Sequence, residues 1–473
     1  MSKYPSRQDR EELKALLNQY NNLKAGRSHS LIEEDEFERI IEYFDEKEQL
    51  TAALEAAEFA IEQYPFSSNL LLQKASFQIA LRLYQDALHT LEKAELYDGR
   101  NVDLFILKTE AFLALDMQEK AAEILESALD DFRGEEKTDL LFELADVYDD
   151  YENFEKVFDC LILILEQDGN NEEALYKICF WTDFTGRYEE SIRLHQNIIH
   201  SFPYNELAWF NLGAAFQGLK LHEKAIDAYQ YAIAIDEKFD YAYRNLGDAY
   251  LRLRKYKEAI EALEKVLELS RPEYVIYEAM GYCYHKLQNF SQARFHYRKA
   301  SHLNAEDSQL HYKIAGTYMN EGAWQPAIKC LHTALSIHRL QPEYNIALGR
   351  CYMELGKYPE AITAIANAVK LKPKNINGWV ELLQCMYKGG LINDGIEYAK
   401  QAFESTENKP VFLFYKSLFL FAAGKSKEAL IYLENGFALY PKGFKKIIEI
   451  EPSLLRYQQV VEIAARFKKK RPS

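Results

Sequence analysis

Residues 206–272 carry one unit twice. Trp209, Asn211, Leu212, Gly213, Phe216, Ala225, Tyr229 and Ala232 are answered 34 residues later by Tyr243, Asn245, Leu246, Gly247, Tyr250, Ala259, Leu263 and Val266. A fixed period of this size marks stacked helical units, each of which buries its apolar face only against its neighbours. The chain has 473 residues, 48% of them hydrophobic and 27% charged. A single globular core rarely grows to that length, and a repeat array avoids the limit by adding core one unit at a time.

The same register extends in both directions and gives twelve units. They begin at Glu34, Ser68, Val102, Thr138, Glu172, Glu206, Asp240, Tyr274, Ser308, Pro342, Ile376 and Pro410. It is fixed by a small residue at the twentieth position: Ala53, Ala87, Ala121, Val157, Ser191, Ala225, Ala259, Ala293, Ala327, Ala361, Gly395 and Ala429. Every step is 34 residues except Ala121 to Val157, which is 36 and must absorb two extra residues near Gly134. A small side chain lets the two helices of a unit approach closely, so Ala225→Leu is expected to cost about 1–3 kcal/mol by overpacking. Gly186, Gly322, Gly356, Gly390 and Gly424 share the fifteenth position and suit a left-handed helix C-cap. Pro65, Pro203, Pro373 and Pro441 share the thirty-second, where the second helix should stop.

This pattern, an aromatic followed by Asn-Leu-Gly, a second aromatic, then EKAI or KEAI, resembles the tetratricopeptide repeat, a helix-turn-helix unit known for binding other proteins. The resemblance covers residues 34–443 and implies an all-α, right-handed superhelical solenoid of about twelve units with capping helices at both ends. The units at Val102 and Ile376 depart from it, with Lys108-Thr109 and Leu382-Leu383 in place of the usual Leu-Gly, and less regular packing is expected there.

Residues 1–33 read as an N-terminal capping helix and lead-in. Leu13, Leu16, Leu17 and Tyr20 share one helix face, Gly26 ends the helix, and Ser30 with Glu33 offers a capping box to the next. Residues 444–473 read as a C-terminal capping helix and basic tail. A helix from Pro452 to Phe467 would present Leu454, Leu455, Val461, Ala464 and Ala465 to the open end of the array, and Lys468–Arg471 follow it. Two second-position or terminal segments are apolar all round. Val411–Phe421 is expected to be covered by the residues after it. Val157–Leu165 predicts a local cover, a subunit contact, or simple filler beside the insertion.

Charge is unevenly spread. Residues 34–205 hold 14 Lys and Arg against 40 Asp and Glu, a net −26, whereas residues 274–473 hold 27 against 17, a net +10. Such a dipole steers a partner that is basic at the end facing units one to five, or favours head-to-tail association of copies; a solvated acidic surface that confers solubility is the plainer alternative. Met1–Arg10 lacks the apolar core of a secretory signal, and the longest apolar run, Val411–Ala423, is short for a membrane span, so a cytoplasmic protein is expected. None of the six cysteines lies in a CxxC pair, and Cys283, Cys351 and Cys385 fall at the buried tenth position; neither disulfides nor zinc are expected.

In the tetratricopeptide family the first helix of each unit lines the concave face, with positions 2, 5, 6, 9 and 12 pointing inward. The resemblance therefore implies a groove lined by Tyr176, Phe180, Phe210, Asn211, Arg244, Asn245, Asp248, Tyr282, Tyr312 and Lys313. Asn211 and Asn245 would form a two-rung ladder, similar to those of O-GlcNAc transferases, whose carboxamides hold a peptide backbone; the alternative is that they hold their own scaffold. The aromatics would form the floor, and Glu143, Asp146, Asp149 and Asp150 would make the adjoining unit acidic and suited to a basic peptide. The carboxylate clamp of heat-shock co-chaperones is absent. With Asn211 central the flanking residues are Tyr176, Phe180, Tyr241 and Asn245; with Asn245 central they are Phe210, Ala214, Val275 and Ala279.

An enzyme is not expected. No phosphate loop, nucleophile elbow or HExxH motif is present, and His285, His296, His302 and His311 lack the spacing of a ligand set. The expected function is a non-enzymatic scaffold or adaptor that binds a protein segment without cofactor or metal. A second reading is RNA association through the basic C-terminal third.

Overall fold

The computed structural model describes residues 7–27 and 31–469. Among them it forms 27 α-helices and two short 3-10 turns and no strand. The chain divides into two compact units, Met1–Asn245 and Leu246–Ser473.

In the first unit, α1 (Arg7–Lys24) precedes pairs made of a first and a second helix. The pairs are α2 (Glu34–Glu46) with α3 (Leu50–Gln63), α4 (Ser68–Ala80) with α5 (Tyr84–Tyr97), α6 (Val102–Leu113) with α7 (Gln118–Ala128), and α8 (Glu135–Asp150) with α9 (Phe154–Gln167). Then come α10 (Glu172–Thr185) with α11 (Tyr188–Ser201), and α12 (Glu206–Gly218) with α13 (His222–Ile235). The division falls inside α14 (Asp240–Arg252). The second unit continues with α15 (Tyr256–Leu269), α16 (Tyr274–Lys286), α17 (Phe290–Leu303), α18 (Ser308–Asn320), α19 (Trp324–Ile337), α20 (Pro342–Glu354) and α21 (Tyr358–Leu371). It ends with α22 (Ile376–Lys388), α23 (Ile392–Ser405), α24 (Val411–Ala422), α25 (Ser426–Leu439), α26 (Phe444–Ile450) and α27 (Gln458–Lys469).

The turn between the helices of a pair fixes this register. Its central residue has positive φ in all twelve pairs: Glu48, Arg82, Asp116, Glu152, Lys220, Arg254 and Gln288 as well as the five glycines expected there. The backbone thus demands a left-handed residue whether or not the sequence supplies glycine. The small residue at the fourth position of the second helix is buried in every pair, from Ala53 to Ala429. Opposite it, glycine on the first helix is required by contact. A Cβ on Gly213 would lie 2.6 Å from the Tyr229 ring, and one on Gly349 would lie 2.3 Å from Ile365. Gly395 answers an unusually large neighbour, since a Cβ there would come within 2.1 Å of Phe419.

The two extra residues near Gly134 are absorbed by starting a helix early. Gly134, at φ 62° and ψ −135°, is the N-cap of α8, which begins three residues ahead of Thr138 and runs for 16 residues. Where Lys108 replaces the usual leucine, its stem is buried and its ammonium reaches Glu95 of α5 at 2.7 Å. Cys283, Cys351 and Cys385 are fully buried.

Both ends depart from expectation in detail. Ser30 lies outside the described residues, and the N-cap of α2 is Glu33, whose backbone N–H donates to the Glu36 carboxylate at 3.0 Å. Helix α1 packs through Leu16 and Tyr20, the latter edge-on to Phe44 and Phe59. At the other end α24 is almost wholly buried, as expected, with Phe414 against Phe444 and Phe421 against Tyr457. The single helix read from Pro452 to Phe467 is instead a 3-10 turn, Pro452–Arg456, an extended residue at Tyr457, and α27. That break shifts the buried face to Leu454, Val460 and Ile463, and leaves Leu455, Val461 and Ala465 in solvent.

Candidate protein-binding surface

First helices touch in order, α4 with α6, α6 with α8 and α10 with α12. Residues three and four apart on each of them therefore share one row. Tyr176 and Phe180 on α10 are 63% and 60% exposed, and Phe184, one turn on, is 56% exposed. Phe180 lies over Phe184 at 5.9 Å, and Phe154 of α9 supports Phe184 and Trp181 at 4.7 and 5.6 Å. The rings brace one another while their outer faces stay open. Phe184 was absent from the expected set because it lies outside the inward template positions, although its four-residue spacing from Phe180 was visible in the sequence.

Beside this stripe lies a dense set of carboxylates. Glu143 on α8 is half-buried, and burial, then Asp146, Glu110 and Asp150, push its carboxyl above the ordinary value. Burial also raises Asp146; Lys177 opposes this, and Asp149, Glu173 and Asp150 reinforce it. Asp139 is raised by burial, then by Glu135 and Asp103. Burial raises these carboxyls first and neighbouring carboxylates add to it, so this face of α8 carries a net negative field. One cation does sit in it. Lys177 donates to Glu173 at 2.8 Å and lies 4.8 Å from the centre of the Phe142 ring, held jointly by a carboxylate and an aromatic face.

Other expected groove residues are placed differently. Asn211 is corrected: it is 3% exposed, and its amide nitrogen donates to the Leu175 carbonyl of α10 at 2.7 Å. A carboxamide committed to the scaffold is withdrawn from a ligand, so the ladder loses its first rung. Asn245 and Arg244 on α14 are half-buried. Phe210 is half-buried between Tyr229 and Phe239, at 5.7 and 5.0 Å.

In the second unit the polar candidates are engaged locally. Asp248 accepts from Arg252 at 3.4 Å, and Lys313 pairs with Glu278. Tyr312 is stacked on buried Tyr344 at 5.0 Å. Tyr282 is 41% exposed, with Tyr256 edge-on at 6.2 Å and Lys286 at 5.1 Å from its ring centre. Several basic side chains of this unit are paired, Arg294 with Glu321, Lys372 with Glu343 and Lys374 with Glu407. The side chains of Lys468–Arg471 lie outside the described residues.

His285 is 2.7 Å from Asn320, while His296 is buried and stacked on Tyr284 at 5.1 Å. No cluster of metal-ligating side chains occurs among the described residues, nor any helix long and apolar enough to cross a membrane.

Comparisons with known proteins agree on the kind of repeat. Residues 184–238 and 342–375 match models of the tetratricopeptide repeat, and residues 214–347 match the C-terminal ARM domain of tetratricopeptide repeat protein 21. The TPR repeat-containing protein MJ1428 of Methanocaldococcus jannaschii is 30% identical over 129 residues. That match takes in 26% of this chain and 22% of the relative, so the chain spans about a fifth of the curated relative's length. Among solved structures, YrrB, described as a TPR protein with an unusual peptide-binding site, is 19% identical over 39% of this chain and 95% of its own, with a TM-score of 0.35. The C-terminal part of a TPR repeat-containing protein from Cytophaga hutchinsonii is 16% identical over 54% and 98%, with a TM-score of 0.42. The APC/C hetero-tetramer Cut9-Hcn1 is 14% identical over 85% and 97%, with a TM-score of 0.34. At such scores the fold stands on the helices described above.

Proposed function

We propose that this chain, a tetratricopeptide-repeat protein, is a protein-interaction scaffold whose first unit binds a partner segment rich in Arg and Lys. The observation that carries this reading is the open stripe Tyr176, Phe180 and Phe184 beside the carboxylates of α8. Aromatic rings left in water favour contact with a partner, and nearby carboxylates select which partner. A guanidinium suits both at once, stacking on a ring while donating to a carboxylate. Arg187 has that arrangement within the chain, 4.4 Å from the centre of the Phe158 ring and paired with Asp159 at 2.6 Å. The function so read is binding rather than catalysis.

Selection of random 12-residue peptides on the full chain by phage display tests the proposal. Enriched peptides should carry Arg or Lys, and the double variant Phe180→Ala, Phe184→Ala, which leaves net charge unchanged, should lower their affinity at least tenfold. Enrichment of acidic or uncharged peptides, or affinity indifferent to the double variant, would overturn it. Binding that needs only the charge and extends to RNA would move the function to the basic C-terminal third.

A further inference from the structure

The second helices of the first unit hold a separate surface. Helices α9 and α11 touch, and a cavity of 510 Å³ lies along them with a floor of Ile162, Leu165, Leu194, Ile198 and Phe202. Ser201 and Phe202 also line an adjoining depression of 520 Å³, where Tyr204 stands 83% exposed. The two form one valley. Gly169 sets the depth of its aromatic floor, since a Cβ there would lie 3.2 Å from the Phe202 ring.

Most of the apolar run Val157–Leu165 is core. Helix α9 turns Val157, Phe158, Cys160, Leu161, Ile164 and Leu165 into the unit's core, yet Ile162 is only half-buried and Leu163 is 45% exposed. Of this run only Ile162 and Leu165 line the valley, whose open apolar surface comes from half-buried Ile162 and from exposed Phe202 and Tyr204. Around it the charge is net negative: Glu166 and Asp168 line the first depression beside Glu190, which Arg187 already holds at 2.6 Å, and Glu172 and Glu206 line the second, against Arg193.

We propose that this valley docks a basic amphipathic helix of a partner protein. Its apolar side chains at i, i+3, i+4 and i+7 would rest on the floor while flanking Lys or Arg face the carboxylates. Each depression falls within the roughly 300–1,000 Å³ typical of ligand sites, enough for a few anchoring side chains. The floor belongs to α9 and α11 and the segments after them, with only the N-termini of α10 and α12, Glu172 and Glu206 among them, at its edge, so this docking uses none of the exposed rings Tyr176, Phe180 and Phe184.

The probe is a labelled 18-residue helical peptide with a leucine stripe and Lys flanks, compared with a Glu-flanked counterpart by fluorescence anisotropy on the full chain. Asn197 is exposed and lines the valley, so Asn197→Trp fills it. That variant should lower affinity tenfold or more with an unchanged circular-dichroism melt. Exposed Glu166 supplies an independent test, because Glu166→Lys should weaken binding about three- to tenfold and flatten its salt dependence. Because the aromatic stripe of α10 is itself proposed to take basic segments, the titrations are repeated on the Phe180→Ala, Phe184→Ala background, where saturable binding sensitive to Asn197→Trp should persist. Absence of saturable binding, equal affinity for the Glu-flanked peptide, or sensitivity to Phe180→Ala but not to the valley variants would overturn the proposal. So would self-association of the wild type that Asn197→Trp abolishes in sedimentation, which would make a second copy the occupant.

Discussion

Asn211→Ala separates a scaffold role from a ligand role. The Asn211 carboxamide is buried and donates to the Leu175 carbonyl at 2.7 Å. Alanine removes this donor, while the Leu175 carbonyl, inside α10, keeps its intrahelical partner, so the loss is that of one buried hydrogen bond, about 0.5–1.5 kcal/mol. In a repeat array that loss acts at one neighbour interface rather than across the whole chain. Trp181 and Trp209 sit on the two helices concerned, so their fluorescence in urea reports that interface. With a denaturant slope of about 2 kcal/mol per molar, a loss of about 1 kcal/mol lowers the midpoint by about 0.5 M. Binding of a display-selected peptide, measured well below the transition, should not change. An unmoved midpoint together with lost peptide binding would refute the assignment and restore Asn211 as a ligand contact.

Further outcomes follow from the same contacts. Lys220→Gly and Arg254→Gly relieve side chains held at φ near 60°, and each should stabilise its repeat by about 0.5–1 kcal/mol, read as a raised urea midpoint, because the left-handed penalty exceeds the added chain entropy. Gly395→Ala forces a Cβ towards Phe419 and should destabilise the C-terminal unit by about 1–3 kcal/mol, seen as a lowered thermal midpoint. His195 is fully buried, and burial holds its pKa down at about 4. A neutral folded imidazole contributes stability that is complete above the unfolded pKa of about 6.5 and is lost as pH falls towards 4, on the order of 3 kcal/mol. His195→Leu should flatten that decline, with the raised carboxyls of α8 acting in the opposite sense in both proteins; an identical pH profile for the two would count against it.

The register was legible because each of its signals is local. A left-handed turn and a close helix contact restrict single positions, so glycine and alanine record them repeatedly. Where the turn is occupied by Lys220 or Glu152 the sequence is silent, yet its neighbours impose the same backbone. Asn211 could not be assigned from sequence, because a carboxamide satisfies a peptide or the adjacent helix equally well and only the position of the Leu175 carbonyl decides. The C-terminal cap was legible in composition but not in phase, since one extended residue at Tyr457 rotates the helix after it. Phe184 was hidden by a template that assigns inward positions, while burial follows the neighbours each ring meets.

The most direct test of the central claim is a double-mutant cycle between Phe180→Ala and each Arg→Ala in a display-selected peptide, measured by titration calorimetry. A guanidinium seated on an exposed ring should give a coupling of about 0.5–1 kcal/mol for at least one arginine. Zero coupling for every arginine, with affinity set by total charge alone, would show that the aromatic stripe takes no part in binding and would contradict the account.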